Sequence, residues 1–223
     1  MWQVIHGDCL EVLPTLGLVD CVLTDPPYSV ETHDGARTGG LENELVDFEP
    51  VAPEWLRRVL IECGRLTNRW VVATMDWRHI AEFAKDPPDG LRFVRFGVWV
   101  KPNGAPQFTG DRPGPGWEGI AFLHRADSKL KWNGGGRSSV FTVPKECGEH
   151  PTMKPGRLLR DFCRLFANRG DTILDPFCGS GSTGVAALQE GMNFIGIEKE
   201  AKYVEIARRR IGAEAAQGKL GFA

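Results

Sequence analysis

The chain of 223 residues is 42% apolar and 25% charged with a net charge of −2, the balance of an ordinary globular chain with room for one good-sized domain. No apolar run approaches a membrane span, and the opening "MWQVIHGDCL" lacks the basic start and apolar core of a signal peptide. Six cysteines without CxxC or finger-like Cys/His spacing argue for reduced thiols in a cytoplasmic protein and against a structural metal.

In chain order, "WQVIHGD" predicts a short strand and "CLEVLPTL" a helical turn or two. "VDCVLT" predicts a strand that runs into Asp25-Pro26-Pro27-Tyr28. Residues 53 to 66 open with proline and space Trp55, Val59, Leu60 and Cys63 as a helix does. "RWVVATM" reads as a strand and "DWRHIAEFAK" as a helix capped by Asp76. "FVRFGVWVK" and "EGIAFLHR" are strands with no helix between them, which predicts an antiparallel edge. After "HPTMKPG" come a helix ("RLLRDFCRLFANRG"), a strand ("TILD"), a helix ("GSTGVAALQEG"), a strand ("NFIGIE") and a helix ("AKYVEIARRRI"). Such alternation predicts an α/β fold, a mostly parallel Rossmann-like sheet with helices on both faces. The long loops 29 to 52 and 102 to 117 interrupt it, and loops of that length are usually functional or disordered.

Charge is unevenly spread. Residues 1 to 54 hold one basic residue, Arg37, against eleven acids, whereas residues 101 to 164 hold eleven basic residues against six acids. One face suited to an anionic polymer is one reading of this asymmetry; charges scattered over a surface is the other.

Two stretches carry chemistry. "ILDPFCGSGSTG" places Gly179-x-Gly181-x-x-Gly184 between a strand and a helix, with Glu198 at the end of the next strand. The glycines permit a tight turn and close approach to a ligand, and the acid can accept both hydroxyls of a ribose. The pattern by itself suits NAD, FAD or S-adenosylmethionine, or a turn with no ligand. Asp175 and Phe177 directly before the glycines tip the balance toward S-adenosylmethionine, because a carboxylate there repels a pyrophosphate and suits an ammonium group.

The elbow Asp25-Pro26-Pro27-Tyr28 brings together a carboxylate, a rigid carbonyl and a ring. An exocyclic base amine is a poor nucleophile because its lone pair is delocalised. Hydrogen bonds from its protons to Asp25 and to a backbone carbonyl push the nitrogen toward a nucleophilic geometry. Tyr28 can stack on the base only if the base has left its helix. A proline-ended strand whose Asp caps a turn is the bland alternative.

With these residues the chain resembles the amino-type DNA methyltransferases, specifically the permuted group in which the DPPY motif precedes the S-adenosylmethionine motif. "TDPPY", "LDPFCGSGST", "HPTMKPGRLL" and "GDCLEVL" match its motifs in the permuted order, and the likeness runs from residue 4 to about 211. The resemblance implies a class I methyltransferase fold, permuted, in a single domain over 1–223. A catalytic half (1–100), a short recognition region (101–149) and a cofactor half (150–223) would divide it. It implies that Asp25 and the Pro26 carbonyl, in the Pro26-Pro27 elbow, orient the amine and that Tyr28 stacks on the flipped base. Backbone from Phe177 through Cys178, Gly179 and Ser180 to Gly181 would pass the methionine part of the cofactor, beside Asp175, His150, Thr152 and Lys154. Glu198, with Lys199 next to it, would bind the ribose, and Asp8, followed by Cys9, the adenine. Asp8 capping the next helix is the competing reading.

Transfer would be direct, with no covalent enzyme intermediate, and no cysteine has the setting of a carbon-5 methyltransferase nucleophile. DPPY favours adenine N6 within the resembled family, with cytosine N4 as the alternative. An RNA base amine, and then a nicotinamide-dependent oxidoreductase or an inactive nucleotide-binding module, follow. The partner implied is DNA; relatives often form a homodimer. The short central region leaves reading of the target to the loops, with Phe108, Arg112 and Trp117 as base or wedge contacts and Lys129, Lys131 and Arg137 on phosphates.

Overall fold

The computed structural model describes residues 1–27, 52–104, 106, 110–114, 116–146 and 153–220. Among them, eight strands form one sheet: β1 (Trp2–His6), β2 (Cys21–Thr24), β3 (Trp70–Met75), β4 (Leu91–Val100), β5 (Trp117–Arg125), β6 (Val140–Thr142), β7 (Thr172–Asp175) and β8 (Asn193–Glu198). Their spatial order is β1-β8-β7-β2-β3-β5-β4-β6. All neighbours pair in parallel except β5, which runs antiparallel to β3 and to β4. The expected antiparallel region is therefore present, but its strand lies inside the sheet. The rim is β6, which is parallel to β4.

Among the described residues, six α-helices cover the faces. α1 (Cys9–Val12), α2 (Pro53–Leu66) and α3 (Trp77–Lys85) pack on one side, and α4 (Gly156–Phe166), α5 (Ser182–Gln189) and α6 (Ala201–Leu220) on the other. The central strands are buried on both faces, which is why β2 and β3 read as continuous apolar runs. α2 starts with Pro53 at its first turn, where a missing N–H costs nothing, and buries Leu56, Val59, Leu60, Cys63 and Leu66 along one stripe. In α4, Leu158, Leu159, Phe162, Cys163 and Phe166 do the same, and Phe166 meets Trp70, Phe122 and Trp132 in an aromatic cluster.

β6 is too short to show a period in the sequence. It is held by Val98 N–H to Ser139 O (2.9 Å), Val143 N–H to Val100 O (3.1 Å) and the Trp99 indole N–H to Val143 O (2.7 Å). Helix α6 also continues past the predicted end at Ile211, through the alanine-rich "GAEAAQGKL". Among the described residues no helix is long and apolar enough to cross a membrane.

The chain leaves β2 toward β3 on one side and leaves β7 toward β8 on the other. Strand order therefore reverses between β2 and β7, and ligands of open α/β sheets bind beyond the carboxyl ends of the strands at such a point. Asp25 follows β2, and Asp175 ends β7. The two carboxylates flank that crevice.

Candidate active site

Two prolines stop β2 at the crevice, because neither can donate to a ladder; Pro26 is buried. The Asp25 side chain beside them is about one-third exposed (32%). Its Oδ1 accepts the Thr74 hydroxyl from β3 at 2.5 Å, and its Oδ2 accepts the Lys154 ammonium at 2.5 Å. One carboxylate is thus aimed from two directions at the open edge of the sheet. Lys154, 7% exposed, also lies 3.3 Å from Glu118 Oε2 on β5, and the other Glu118 oxygen pairs with Lys101 at the end of β4.

On the other side of the crevice, the turn from β7 into α5 is made by glycines that sequence alone could place. Gly179 has φ +49° and Gly181 φ +84°, the left-handed region that side chains resist. At Gly181 a Cβ would also stand 3.0 Å from Ala207 Cα on α6, so both conformation and space demand glycine. At Gly179 a Cβ would meet nothing within 4 Å, which leaves open space over the turn.

Glu198 closes this side. Its carboxylate, 7% exposed, accepts Gly179 N–H and Glu200 N–H, each at 2.9 Å. Burial raises its pKa, and those amides oppose the rise. Two backbone bonds fix both oxygens, while each keeps a second lone-pair direction for a hydroxyl. A cavity of about 200 Å³, lined by Met153, Lys154, Ser182 and Arg210 among others, opens beside the turn. A fixed acid, an open glycine turn and a cavity next to a lysine fit a nucleoside carrying an amino-acid tail.

The model of the DNA methylase family matches residues 19–209. The chain is 28% identical over 246 residues to type II methyltransferase M2.DpnII of Streptococcus pneumoniae, covering 94% of this chain and 89% of that protein. Among solved structures, the M1.HpyAVI–SAM complex superposes with TM-score 0.73 at 28% identity, over 94% of this chain and all of that one. PvuII DNA methyltransferase (cytosine-N4-specific) has TM-score 0.74 over 94% of this chain and 86% of that one, at 16% identity, which speaks to the fold alone. The chain belongs to the N6/N4 DNA methylase family. It is a DNA methyltransferase for exocyclic base amines, and its family uses S-adenosylmethionine as methyl donor.

In this methylase the remaining residues singled out by sequence are placed as follows. Asp8 caps α1, its Oδ1 accepting Leu10 N–H at 2.8 Å, and is exposed at the carboxyl edge next to Glu198. Cys9 faces the core at 5% exposure, and burial pushes its thiol up to about 12, so the side chain does not face the cofactor space. Cys178 is likewise packed inward, against Gly196, and offers only its backbone. Phe177 rests on Trp55 of α2, ring centroids 5.7 Å apart. The Lys199 side chain is exposed while its carbonyl accepts from His6 Nε2 at 2.9 Å. Tyr28, His150, Thr152 and Phe108 lie outside the described residues.

Of the residues suggested for DNA, Trp117 opens β5 at the carboxyl edge, 46% exposed, against Phe96. Arg112 is exposed and paired with Asp111 at 2.9 Å. Lys129 and Lys131 do not join them. Because β5 is antiparallel, the chain leaves it at the opposite edge, where Ser128 bonds Asn68 O and Trp70 bonds Lys131 O. Arg137 is turned to Asp161 on α4 at 2.9 Å and lies over the Phe141 ring.

Sequence reasoning missed Thr74, Glu118, Lys101 and Arg210. The run Arg208 to Arg210 reads as a solvated helix end, yet Arg208 donates to Val4 O at 2.8 Å. Arg210 donates to Ser180 O and Oγ (both 2.8 Å), Ser182 Oγ (3.2 Å) and Met153 Sδ (3.3 Å). It fastens α6 to the glycine turn. Flanking the buried stripe Val204, Ala207 and Ile211 was the one signal for it. Arg210→Met is expected to weaken S-adenosylmethionine binding about tenfold, since several charge-assisted bonds hold the turn. Titration calorimetry giving an unchanged affinity would show that the turn keeps its shape without them.

Asp175, 2% exposed, accepts Thr24 Oγ1 at 2.8 Å and Phe177 N–H at 3.1 Å. Burial pushes its carboxyl up to about 6, against hydrogen bonds from Thr183, Thr24 and the Phe177 amide. The folded chain therefore holds a proton that the unfolded chain, titrating near ~3.9, releases. The contribution to stability is fully present below about pH 4 and is lost as pH rises through about 6. In denaturant unfolding, the parent should lose on the order of 3 kcal/mol relative to Asp175→Asn between about pH 4 and pH 7.5. A stability difference that does not change with pH would contradict this.

Proposed function

We propose that this methylase modifies adenine N6 in DNA, on a base turned out of its helix into the crevice between β2 and β7. The observation that carries the reading is Asp25: a carboxylate fixed by Thr74 and Lys154, part-exposed, and set directly before a proline elbow at the switch point of the sheet. A carboxylate anchored in a concave edge cannot reach an amine inside a base stack, so the base comes to it. Asp25 accepts one amine proton and the Pro26 carbonyl the other, which directs the nitrogen lone pair toward the glycine-turn side. Tyr28 stacks on the base.

S-adenosylmethionine supplies a methyl group already activated on a sulfonium, so the protein contributes position and electrostatics. Glu198 accepts the ribose hydroxyls, Asp8 faces the adenine end, and the Gly179–Gly181 backbone lets the methionine part pass closely. Asp25 is also placed to take the proton that the amine gives up. Adenine is preferred to cytosine because the tetrapeptide is DPPY and not SPPY. Trp117, beside Glu118 at the same edge, is the described aromatic residue best placed to meet bases next to the target.

The test is incubation of the protein with methyl-labelled S-adenosylmethionine and duplex DNA, followed by digestion to nucleosides and mass spectrometry. Labelled N6-methyldeoxyadenosine is the expected product. N4-methyldeoxycytidine would keep the mechanism and overturn the choice of base, and label in RNA alone would overturn the DNA substrate.

A further inference from the structure

Among the described residues three large aromatic side chains are exposed, Trp77 (54%), Phe96 (39%) and Trp117 (46%), and all three fall in one patch that reaches the carboxyl edge. Met75 of β3 pairs with Gly119 of β5, so Trp77 and Trp117 each stand two residues beyond that pair, on adjoining strand ends. At Gly119 a Cβ would stand 2.5 Å from Ile80 Cδ1 and 3.2 Å from Phe96 Cε2, so both side chains close over the glycine. Ile80 is one helical turn from Trp77 on α3, and the Phe96 ring meets Trp117 edge-on with centroids 6.3 Å apart. The patch is therefore continuous.

Its distance from the reacting base is set by the same strands. Trp77 follows Thr74, which bonds Asp25, by three positions, and β5 lies two strand spacings, about 10 Å, from β2. Contiguous exposed apolar surface marks a contact, and this surface runs on from the crevice that DNA must enter. Base extrusion leaves the former partner and the neighbours of the target without a stacking face, which costs energy unless a ring fills the gap. A chain of net charge −2 does not draw in a polyanion by its overall field, whereas flat indoles take bases face on. Arg78, 4.7 Å over the Trp77 ring, brings positive charge to the same place.

We propose that Trp77 and Trp117, backed by Phe96, form a stacking platform for the bases that lose a partner or a neighbour when the target is turned out. It rests on the reading that the target leaves its helix. The platform recognises the faces of unpaired bases and not their edges, so it adds affinity without adding sequence preference. That suits a chain whose central region is short.

The probes are two duplexes of equal length and composition, one fully paired and one with a central bubble of mismatches, so that unpaired bases are present whatever the target site. The parent is expected to bind the bubble at least about tenfold tighter than the paired duplex. Trp77→Ala and Trp117→Ala should each weaken bubble binding about five- to tenfold, and phenylalanine at either position should recover part of the loss. S-adenosylmethionine affinity should stay within about twofold, and the salt dependence of DNA binding should keep its slope, because phosphate contacts are untouched. Equal affinity of the parent for the two duplexes overturns the proposal, as does a Trp77→Ala/Trp117→Ala double variant that binds the bubble like the parent. A parent dimer that the double variant converts to monomer, with bubble affinity unchanged, would make the patch an interface between copies and overturn it too. Bubble binding does not depend on which base is methylated. If the variants behave as expected while the parent transfers no methyl to adenine, the reading of function fails and the platform stands.

Discussion

Asp25→Asn is expected to lower saturated methyl transfer to duplex DNA by about a thousandfold or more, while S-adenosylmethionine binds within about twofold of the parent. The substitution keeps the shape of the side chain and removes its charge. Asp25 reaches the edge from β2, whereas Glu198 and the glycine turn belong to β8 and the β7–α5 connection, so the donor's contacts are untouched. An amide can still accept one hydrogen bond, but it neither draws a proton from the amine nor matches the ammonium of Lys154. Transfer assays with labelled donor and calorimetry on the same preparations check both halves. A variant that keeps a tenth of the parent rate would remove Asp25 from the chemistry.

Glu198→Ala is expected to act the other way round, weakening S-adenosylmethionine about a hundredfold while the rate at saturating donor falls less than about fivefold. Glu198 lies at the far side of the glycine turn, and its two oxygens hold the Gly179 and Glu200 amides. Removing it deletes the acceptor for the ribose and loosens the turn together. Unfolding should also become easier by about 1–3 kcal/mol, the usual cost of buried donors left without partners. Initial rates over a wide donor range separate the two constants. Equal losses in both would mean that Glu198 acts on the reacting atoms and not on binding.

The parts of this site that lie close together in sequence were legible before the fold was known. The Asp25-Pro26-Pro27 elbow follows from proline chemistry, and the Gly179–Gly181 turn from the need for positive φ between a strand and a helix. Alternation of strands and helices gave the sheet class, because buried parallel strands read as unbroken apolar runs. What the sequence withheld depends on strand order. Thr74 looks like one small polar residue inside an apolar strand until β3 is set beside β2. Lys154 is 129 residues from Asp25, and Glu118 comes within 3.3 Å of Lys154 only because β5 pairs with β3. Antiparallel β5 also explains why Lys129 and Lys131 were grouped with the site by charge and are found at the other edge. Their strand starts at the crevice and runs away from it. Arg210 was hidden in a run of three arginines whose members face different neighbours.

A crystal structure of the methylase with a duplex and the demethylated donor would show where the target base sits. One adenine is expected out of the helix, its exocyclic nitrogen within hydrogen-bond distance of Asp25, and the donor's ribose on Glu198. A duplex bound with every base stacked, or an extruded base whose amine faces away from Asp25, would contradict it.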